Sequence, residues 1–337
     1  MNKRVILAKR PEGMPQASDF IIKSEPLSLD LASGEVLVKV EWSSIDPAQR
    51  IWISGKKKSY FPSVAIGQEI RAYGIGVVIK STVKSLKLNT YVYGLLGWQH
   101  YCKIDHRRVF RLPKEHPPNI YLGVLGLTGL SAYVAVEVLA RPRNKEVVVV
   151  SSAAGSVGSI ACQIAKMKGC VVVGITGTPE KCRWLMDELK IDAAICYKGT
   201  NVSKQIRKLC PNGVDVYIDN VGGEICDAVL QNIKKNSRII LCGAISGYNL
   251  KHFRPITNYP IAISMSATFI GFMVNDFRHN FTVALKTLSR WLANGKLKYK
   301  EHILTSLEQA PEGLSMLLQG LNDGKMLIKL NSPEVKL

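Results

Sequence analysis

The stretch whose residue types and spacing carry the most chemistry is 147–158. Four valines, Val147–Val150, are followed by Ser151-Ser152-Ala153-Ala154-Gly155-Ser156-Val157-Gly158. A continuous β-branched run bounded by small residues predicts a strand buried on both faces. Beyond it Val157, Ile160, Ala161, Ile164, Ala165 and Met167 recur at helical spacing, and Gly169 ends the helix expected over 156–168. Strand, glycine turn and helix in that order offer N–H groups at a helix N-terminus to a pyrophosphate. Ala153 stands where the first Gly of G-x-G-x-x-G would be, so taken alone the turn reads equally well as a structural connection.

Residues further along the chain favour the cofactor reading. An NAD site places an acid at the end of the next strand, about 20 residues past the glycines, on the ribose 2′-hydroxyl. Here that place holds Thr176-Gly177-Thr178, and Lys181 and Arg183 come next. A missing carboxylate beside cations suits a 2′-phosphate, so the expected cofactor is NADP(H). The alternative for Lys181 is a plain surface residue, but a cation in the first turn of a helix opposes the helix dipole. Tyr197, just past the third strand, could flank the same phosphate. Asp219-Asn220-Val221-Gly222-Gly223 and Cys242-Gly243-Ala244-Ile245-Ser246 close the fourth and fifth strands. Both lie at strand carboxyl ends, where open α/β sheets bind ligands.

The elements that position these residues are set by the pattern. Strands are expected over 147–152, 171–176, 193–196, 214–219, 238–242 and 268–272. Helices are expected between them, over 156–168, 179–188, 202–209, 223–233 and 280–293. Such alternation makes an α/β unit, a Rossmann doubly wound parallel sheet. Before residue 120 the chain shows short β-branched runs at 36–40, 75–79 and 90–95 punctuated by glycines, which suggests a barrel or sandwich-like unit. A last short strand, 326–330, is expected to return to that unit.

The chain has 337 residues, enough for two domains. No apolar run approaches the roughly 20 residues of a membrane span, and the run at 5–8 is too short for a signal-peptide core. Eight cysteines, mostly inside apolar patterns, point to reduced thiols in a cytoplasmic protein. The net charge is +19, with 45 Lys+Arg against 26 Asp+Glu. The basic residues are scattered. The runs Lys56–Lys58 and Arg107-Arg108 with Arg111 are not interleaved with aromatic platforms, so a basic surface that attracts an anionic cofactor is favoured over nucleic-acid binding.

Seven segments together carry a family resemblance: Ser44–Arg50, Gly126–Tyr133, Ala153–Gly158, Gly177–Lys181, Asp219–Gly223, Cys242–Asn249 and Asn322–Lys325. Over nearly its whole length the chain resembles the zinc-free medium-chain dehydrogenases/reductases. Within them it is similar to the branch of prostaglandin reductases, leukotriene hydroxydehydrogenases, alkenal double-bond reductases and curcumin-type reductases. The resemblance implies a GroES-like β-barrel domain from 1–122 and 296–337, packed on a Rossmann NADP-binding domain at 123–295. It implies NADPH in the cleft, reduction of an activated C=C bond, and a homodimer whose cofactor sheets join edge to edge.

By position, the resemblance puts Lys181 and Tyr197 on the 2′-phosphate and Asn220 at the ribose or pyrophosphate. Gly155, Ser156, Val157 and Gly158 would hold the pyrophosphate. Cys242, Gly243, Ala244, Ile245, Phe272 and Val274 would line the nicotinamide pocket. Asn322 would close the site from the tail, and Pro47 and Leu127 would touch the nicotinamide from the barrel side. No metal is expected: Asp46 and Gln68 stand where zinc-dependent relatives carry a liganding Cys and His, no two cysteines are spaced C-x-x-C, and His100 and Cys102 lack a partner pair.

The implied reaction sends hydride to the β-carbon of an enal or enone and leaves an enolate that needs hydrogen-bond donors. The resemblance supplies the nicotinamide ribose hydroxyl and Tyr248. Tyr60 and Tyr73 are candidates for the substrate pocket wall, with ordinary half-buried tyrosines as the alternative. A zinc-free NADPH quinone reductase is the competing activity, using the same cofactor site without an oxyanion-directed tyrosine.

Overall fold

The computed structural model describes residues 1–56 and 61–333. The chain forms two compact units, one of 1–122, 301–322 and 326–337, the other of 123–300 and 323–325.

The second unit is built on six strands: β1 (Val147–Ser151), β2 (Val171–Thr176), β3 (Ala193–Cys196), β4 (Val214–Asp219), β5 (Ile233–Leu241) and β6 (Thr268–Gly271). They form one parallel sheet in the order β3-β2-β1-β4-β5-β6. The apolar runs explain this placement, because a parallel sheet is covered on both faces. Val148, Val149, Val150, Val172, Val216 and Ile218 are completely buried. Helices Gly158–Met167, Pro179–Asp187, Val202–Leu209 and Gly223–Leu230 lie between the strands. Two start on side-chain caps: Thr178 accepts from the Lys181 N–H at 3.3 Å and Asn201 from the Lys204 N–H at 2.9 Å. The strand order reverses between β1 and β4, the switch point at which such sheets bind ligands.

Three limits in this unit differ by two residues or more from the sequence pattern. The helix expected from 156 starts at Gly158, with Val157 as its cap, so Ser156 and Val157 belong to the turn. The helix expected to reach 233 stops at Leu230, and β5 starts at Ile233 instead of 238. The pairing of β4 with β5 jumps from Val214↔Ile233 to Val216↔Arg238, so Lys234, Lys235 and Asn236 sit in a bulge. Asn236 has φ 62° and donates its N–H to the Met265 carbonyl at 2.7 Å. A Lys-Lys-Asn run has low strand propensity, which hides this half of β5 from a reading of pattern alone.

The first unit is β-rich. Asn2–Leu7 pairs with Phe20–Glu25. A seven-stranded sheet runs Glu301–Leu304, Lys325–Lys329, Glu35–Ser44, Gly74–Ser81, Tyr91–Gly94, Val109–Arg111, with Tyr101–Asp105 paired to Glu35–Ser44. The tail strand does return here, antiparallel, with Leu327 opposite Ser44. Its core joins both chain ends: Val5, Leu7, Val38, Trp98, Leu314 and Ile328 share one buried cluster. No helix among the described residues is long and apolar enough to cross a membrane. All eight cysteines are free thiols, six of them buried.

In the second unit, helix and strand approach each other closely at Gly158. A β-carbon there would stand 2.3 Å from the Ser152 carbonyl oxygen and 2.8 Å from the Ala153 Cα. Gly158→Ala is therefore expected to lower the unfolding free energy by about 1–3 kcal/mol, as overpacking does. Urea unfolding checks this; an unchanged midpoint would show that the turn relaxes around a methyl group.

Candidate functional site

The carboxyl ends of β1, β4 and β5 meet around one buried carboxylate. Asp219, 2% exposed, accepts four hydrogen bonds on Oδ1. The donors are Ser151 Oγ (3.0 Å), Tyr217 Oη (2.7 Å), and the N–H groups of Val221 and Gly222 (both 2.9 Å). The Asp219 carbonyl oxygen accepts from Cys242 N–H at 2.8 Å and Gly243 N–H at 3.0 Å. Burial, and after it Asp219's charge, push the Tyr217 phenol well above the ordinary range, so it stays a donor. Gly222 completes the turn with φ 70°, a backbone that favours glycine.

Asn220 is held on this platform. Its N–H donates to Ser151 Oγ at 2.9 Å and its Nδ2 to the Ser151 carbonyl at 2.8 Å. Both bonds fall at the β1/β4 switch point. The turn Gly155-Ser156-Val157 is half-exposed beside it, and Gly158 is buried beneath.

A second group sits at the end of β2. The Tyr197 ring lies against Gly177, 3.4 Å from where a β-carbon would stand. Lys181 is half-buried in the first turn of the helix capped by Thr178. Its pKa is lowered, by burial first; Asp323 raises it, and Lys198 lowers it again. Lys181 and Lys198 thus gather beside a turn that has no acid of its own, with Asp323 also acting on Lys181, and cations so grouped can meet an anion. Lys198 was not among the cations expected from the sequence, since no motif marks it. Arg183, in contrast, is ion-paired with Glu180 at 3.0 Å and largely exposed, so it brings no spare charge to this place.

At the end of β5, Cys242-Gly243-Ala244 leads into the short helix Ile245–Gly247, after which comes Tyr248. The Ala244 N–H donates to Tyr248 Oη at 3.2 Å. The oxygen thus accepts, and its own hydrogen can still be donated. Burial raises the phenol's pKa, and the Ala244 amide pulls it partly back. The Cys242 thiol is pushed up to about 12 by burial and then by Asp219, so it is inert. Phe272 comes directly after β6 and makes an edge contact with Phe277 at 6.1 Å, and Val274 starts the next short helix.

In the first unit, Pro47 caps helix Ala48–Trp52. Asp46 accepts from Ser44 Oγ at 2.5 Å, and its N–H donates to Gln49 Oε1 at 2.9 Å. Gln49 also donates to the Arg71 carbonyl at 3.1 Å. Tyr73 is half-buried and stacks on Tyr93, with centroids 5.4 Å apart. Tyr60 lies outside the described residues. Asn322 is buried. Leu127, expected to act from the barrel side, belongs to the second unit, where it begins helix Leu127–Tyr133. Gln68 is exposed, and among the described residues no three His, Cys, Asp or Glu side chains group as a metal set. A cavity of about 290 Å³ in the first unit, lined by Asn2, Arg4, Glu25 and Lys103, contains none of these candidates.

The sequence pattern singles out the segment Asp219–Gly223 but gives Asp219, Ser151 and Tyr217 no role. The available signal was an acid ending the apolar run Val214–Ile218, since a buried carboxylate demands donors.

Known proteins match this chain along its length. Residues 3–112 match a family model described as the N-terminal domain of oxidoreductase, and 156–290 match one described as zinc-binding dehydrogenase. A 2-alkenal reductase (NADP(+)-dependent) of Nicotiana tabacum is 35% identical over 98% of both chains. An NADPH-dependent curcumin reductase of Escherichia coli is 33% identical, over 98% of this chain and 97% of that one. The crystal structure of CurA from Vibrio vulnificus in complex with NADPH superposes with a TM-score of 0.93 at 33% identity, covering 98% of this chain and 100% of that one.

Asp219→Asn keeps size and removes charge. Because hydrogen bonds to a charged group are the stronger ones, the unfolding free energy is expected to fall by about 1–3 kcal/mol. Chemical denaturation measures it; wild-type stability would mean a neutral oxygen serves the four donors equally well.

Proposed function

Since this chain belongs to the medium-chain dehydrogenase/reductase family, we propose that it uses NADPH to reduce the C=C bond of α,β-unsaturated aldehydes and ketones. The observation that carries this reading is the Tyr248 hydroxyl, held as an acceptor by the Ala244 amide at the carboxyl edge of the sheet. The second unit suits the cofactor. It has the glycine turn before helix Gly158–Met167, no acid after β2, and Lys181, Lys198 and Tyr197 grouped there. Asn220 spends its Nδ2 on Ser151, and its Oδ1 accepts no hydrogen bond among the described residues.

When bound, the nicotinamide supplies the hydride that goes to the substrate's β-carbon. Tyr248 then donates to the carbonyl oxygen as enolate charge develops, and a proton from water reaches the α-carbon. A phenol whose pKa is raised by burial stays protonated through neutral pH. Asp219 and Ser151 hold the strand ends, so the donor needs little reorganisation at the moment of reaction.

A homodimer belongs to the same proposal. Among the described residues β6 is an edge strand, paired only with β5. Phe269 on it is 37% exposed, and Tyr259 and Ile263 just before it are 59% and 73% exposed. An open edge with apolar neighbours is a template for a second copy. Ile263→Asp should convert a dimer to a monomer in sedimentation; a monomeric unmutated protein would remove this part.

Three kinetic outcomes test the rest. Tyr248→Phe should cut kcat on an enone roughly ten- to hundredfold with NADPH affinity unchanged, since the ribose hydroxyl shares the oxyanion. A Phe variant with wild-type kcat would take Tyr248 out of the mechanism. The alkaline limb of kcat should lie above the ordinary tyrosine pKa of about 10, because burial raises Tyr248. Lys181→Ala should raise the KM for NADPH, by about 1.5–3 kcal/mol in binding, and leave NADH nearly unchanged. Equal use of both cofactors by the unmutated protein would contradict the phosphate site, and faster turnover of quinones than of enals would favour a quinone reductase.

A further inference from the structure

Lys181 lies in the first turn of helix Pro179–Asp187, and Trp184 follows one turn later on the same face. Trp184 is 9% exposed, and the Lys300 ammonium sits over its ring, 4.8 Å from the centroid. Lys300 in turn donates to Asp323 Oδ2 at 3.0 Å in an ion pair. All four residues belong to the second unit. Ring, ammonium and carboxylate thus form a chain that brings an acid from the tail back to the helix of Lys181.

The main chain fixes that acid in place. Gly324, the next residue, has φ 76°, and a β-carbon there would stand 2.2 Å from the Lys300 carbonyl oxygen. The same oxygen accepts from the Lys325 N–H at 2.8 Å. Segment 298–300 is itself tied to the unit. The Lys298 N–H donates to Gln163 Oε1 at 2.7 Å, and its carbonyl accepts from Gln163 Nε2 at 2.8 Å.

The charge of Asp323 reaches Lys181. Burial lowers the Lys181 pKa most, Asp323 raises it, and Lys198 lowers it again. Two acids on or just after the helix are engaged elsewhere, Glu180 with Arg183 at 3.0 Å and Glu188 with Lys298 at 2.8 Å. The turn after β2 has no acid of its own, yet the tail supplies one. An acid beside a phosphate-binding cation opposes the phosphate twice, because it occupies the cation and repels the anion.

We propose that Asp323 competes with the cofactor's 2′-phosphate for Lys181, and so limits how strongly this enzyme prefers NADP(H) over NAD(H). The inference rests on Lys181 meeting that phosphate, as proposed above. Asp323 favours the charged ammonium against the burial that would neutralise it. A phosphate with nearly two negative charges draws the ammonium away, and Lys300 keeps the carboxylate paired when that happens. The exchange uses part of the phosphate's binding energy and leaves the oxidised cofactor easier to release.

The test is calorimetry of the full chain with adenosine 2′,5′-bisphosphate and adenosine 5′-monophosphate, which differ only in the 2′-phosphate. Asp323→Asn should tighten the bisphosphate roughly three- to tenfold and leave the monophosphate within about twofold, with the gain shrinking in added salt. Lys181→Ala should remove most of the preference for the bisphosphate, and in the double variant most of the gain from Asp323→Asn. Unchanged or weaker bisphosphate binding by Asp323→Asn, equal tightening of both nucleotides, or a gain that persists undiminished with Lys181→Ala would overturn the competition. If the unmutated protein binds both nucleotides equally, the phosphate site and the competition fall together. If it prefers the bisphosphate and Asp323→Asn leaves that preference as it was, the site stands and the competition alone falls. The Asp323 side chain is 52% exposed, so the Asn variant should keep the wild-type unfolding midpoint, which urea unfolding verifies.

Discussion

The carboxyl edge of the Rossmann sheet depends on the satisfaction of one buried charge. A carboxylate cannot be taken out of water without donors to replace it. Asp219 gathers four on a single oxygen, from β1, from its own strand and from the turn after it. Its main-chain oxygen ties the end of β5 to the same point. Three strand ends are thereby fixed relative to one another at the place where strand order reverses. Asn220, Gly243 and Ala244 take their positions from it, and Tyr248 takes its position from Ala244.

Burial acts on the other ionisable groups there in one direction. The phenols of Tyr217 and Tyr248 and the thiol of Cys242 are all raised, so each stays neutral. A site furnished with neutral donors and backbone amides is suited to stabilising an oxyanion by fixed dipoles. It is poorly suited to nucleophilic catalysis, which needs a lowered pKa or an adjacent base.

The charge excess has a matching logic. The second unit holds twice as many Lys and Arg as Asp and Glu. Several of its acids are engaged in pairs such as Lys166–Asp192, Lys168–Glu137 and Lys234–Asp215. Pairs that stay partly open to solvent, as these do, add little stability. The remaining basic field favours the approach of anions.

Much of the fold is legible in the residues themselves. The limits of β2, β3 and β4 and of helix Val202–Leu209 coincide with the pattern, because each element carries its own signal within a short window. The first half of β5 does not, since a Lys-Lys-Asn bulge becomes strand only through its pairing with β4. The order of strand, glycine turn and helix, the missing acid after β2, and the motifs at the ends of β4 and β5 are properties of the sequence alone. Which donors reach Asp219, that Arg183 is taken by Glu180, that Tyr248 accepts from Ala244, and that Asp323 pairs with a lysine seated on Trp184 were decided only by the tertiary structure. Ser151 and Asp219 are 68 positions apart, and no local pattern links them. They meet because β4 packs beside β1, and that adjacency exists only once the whole sheet has formed.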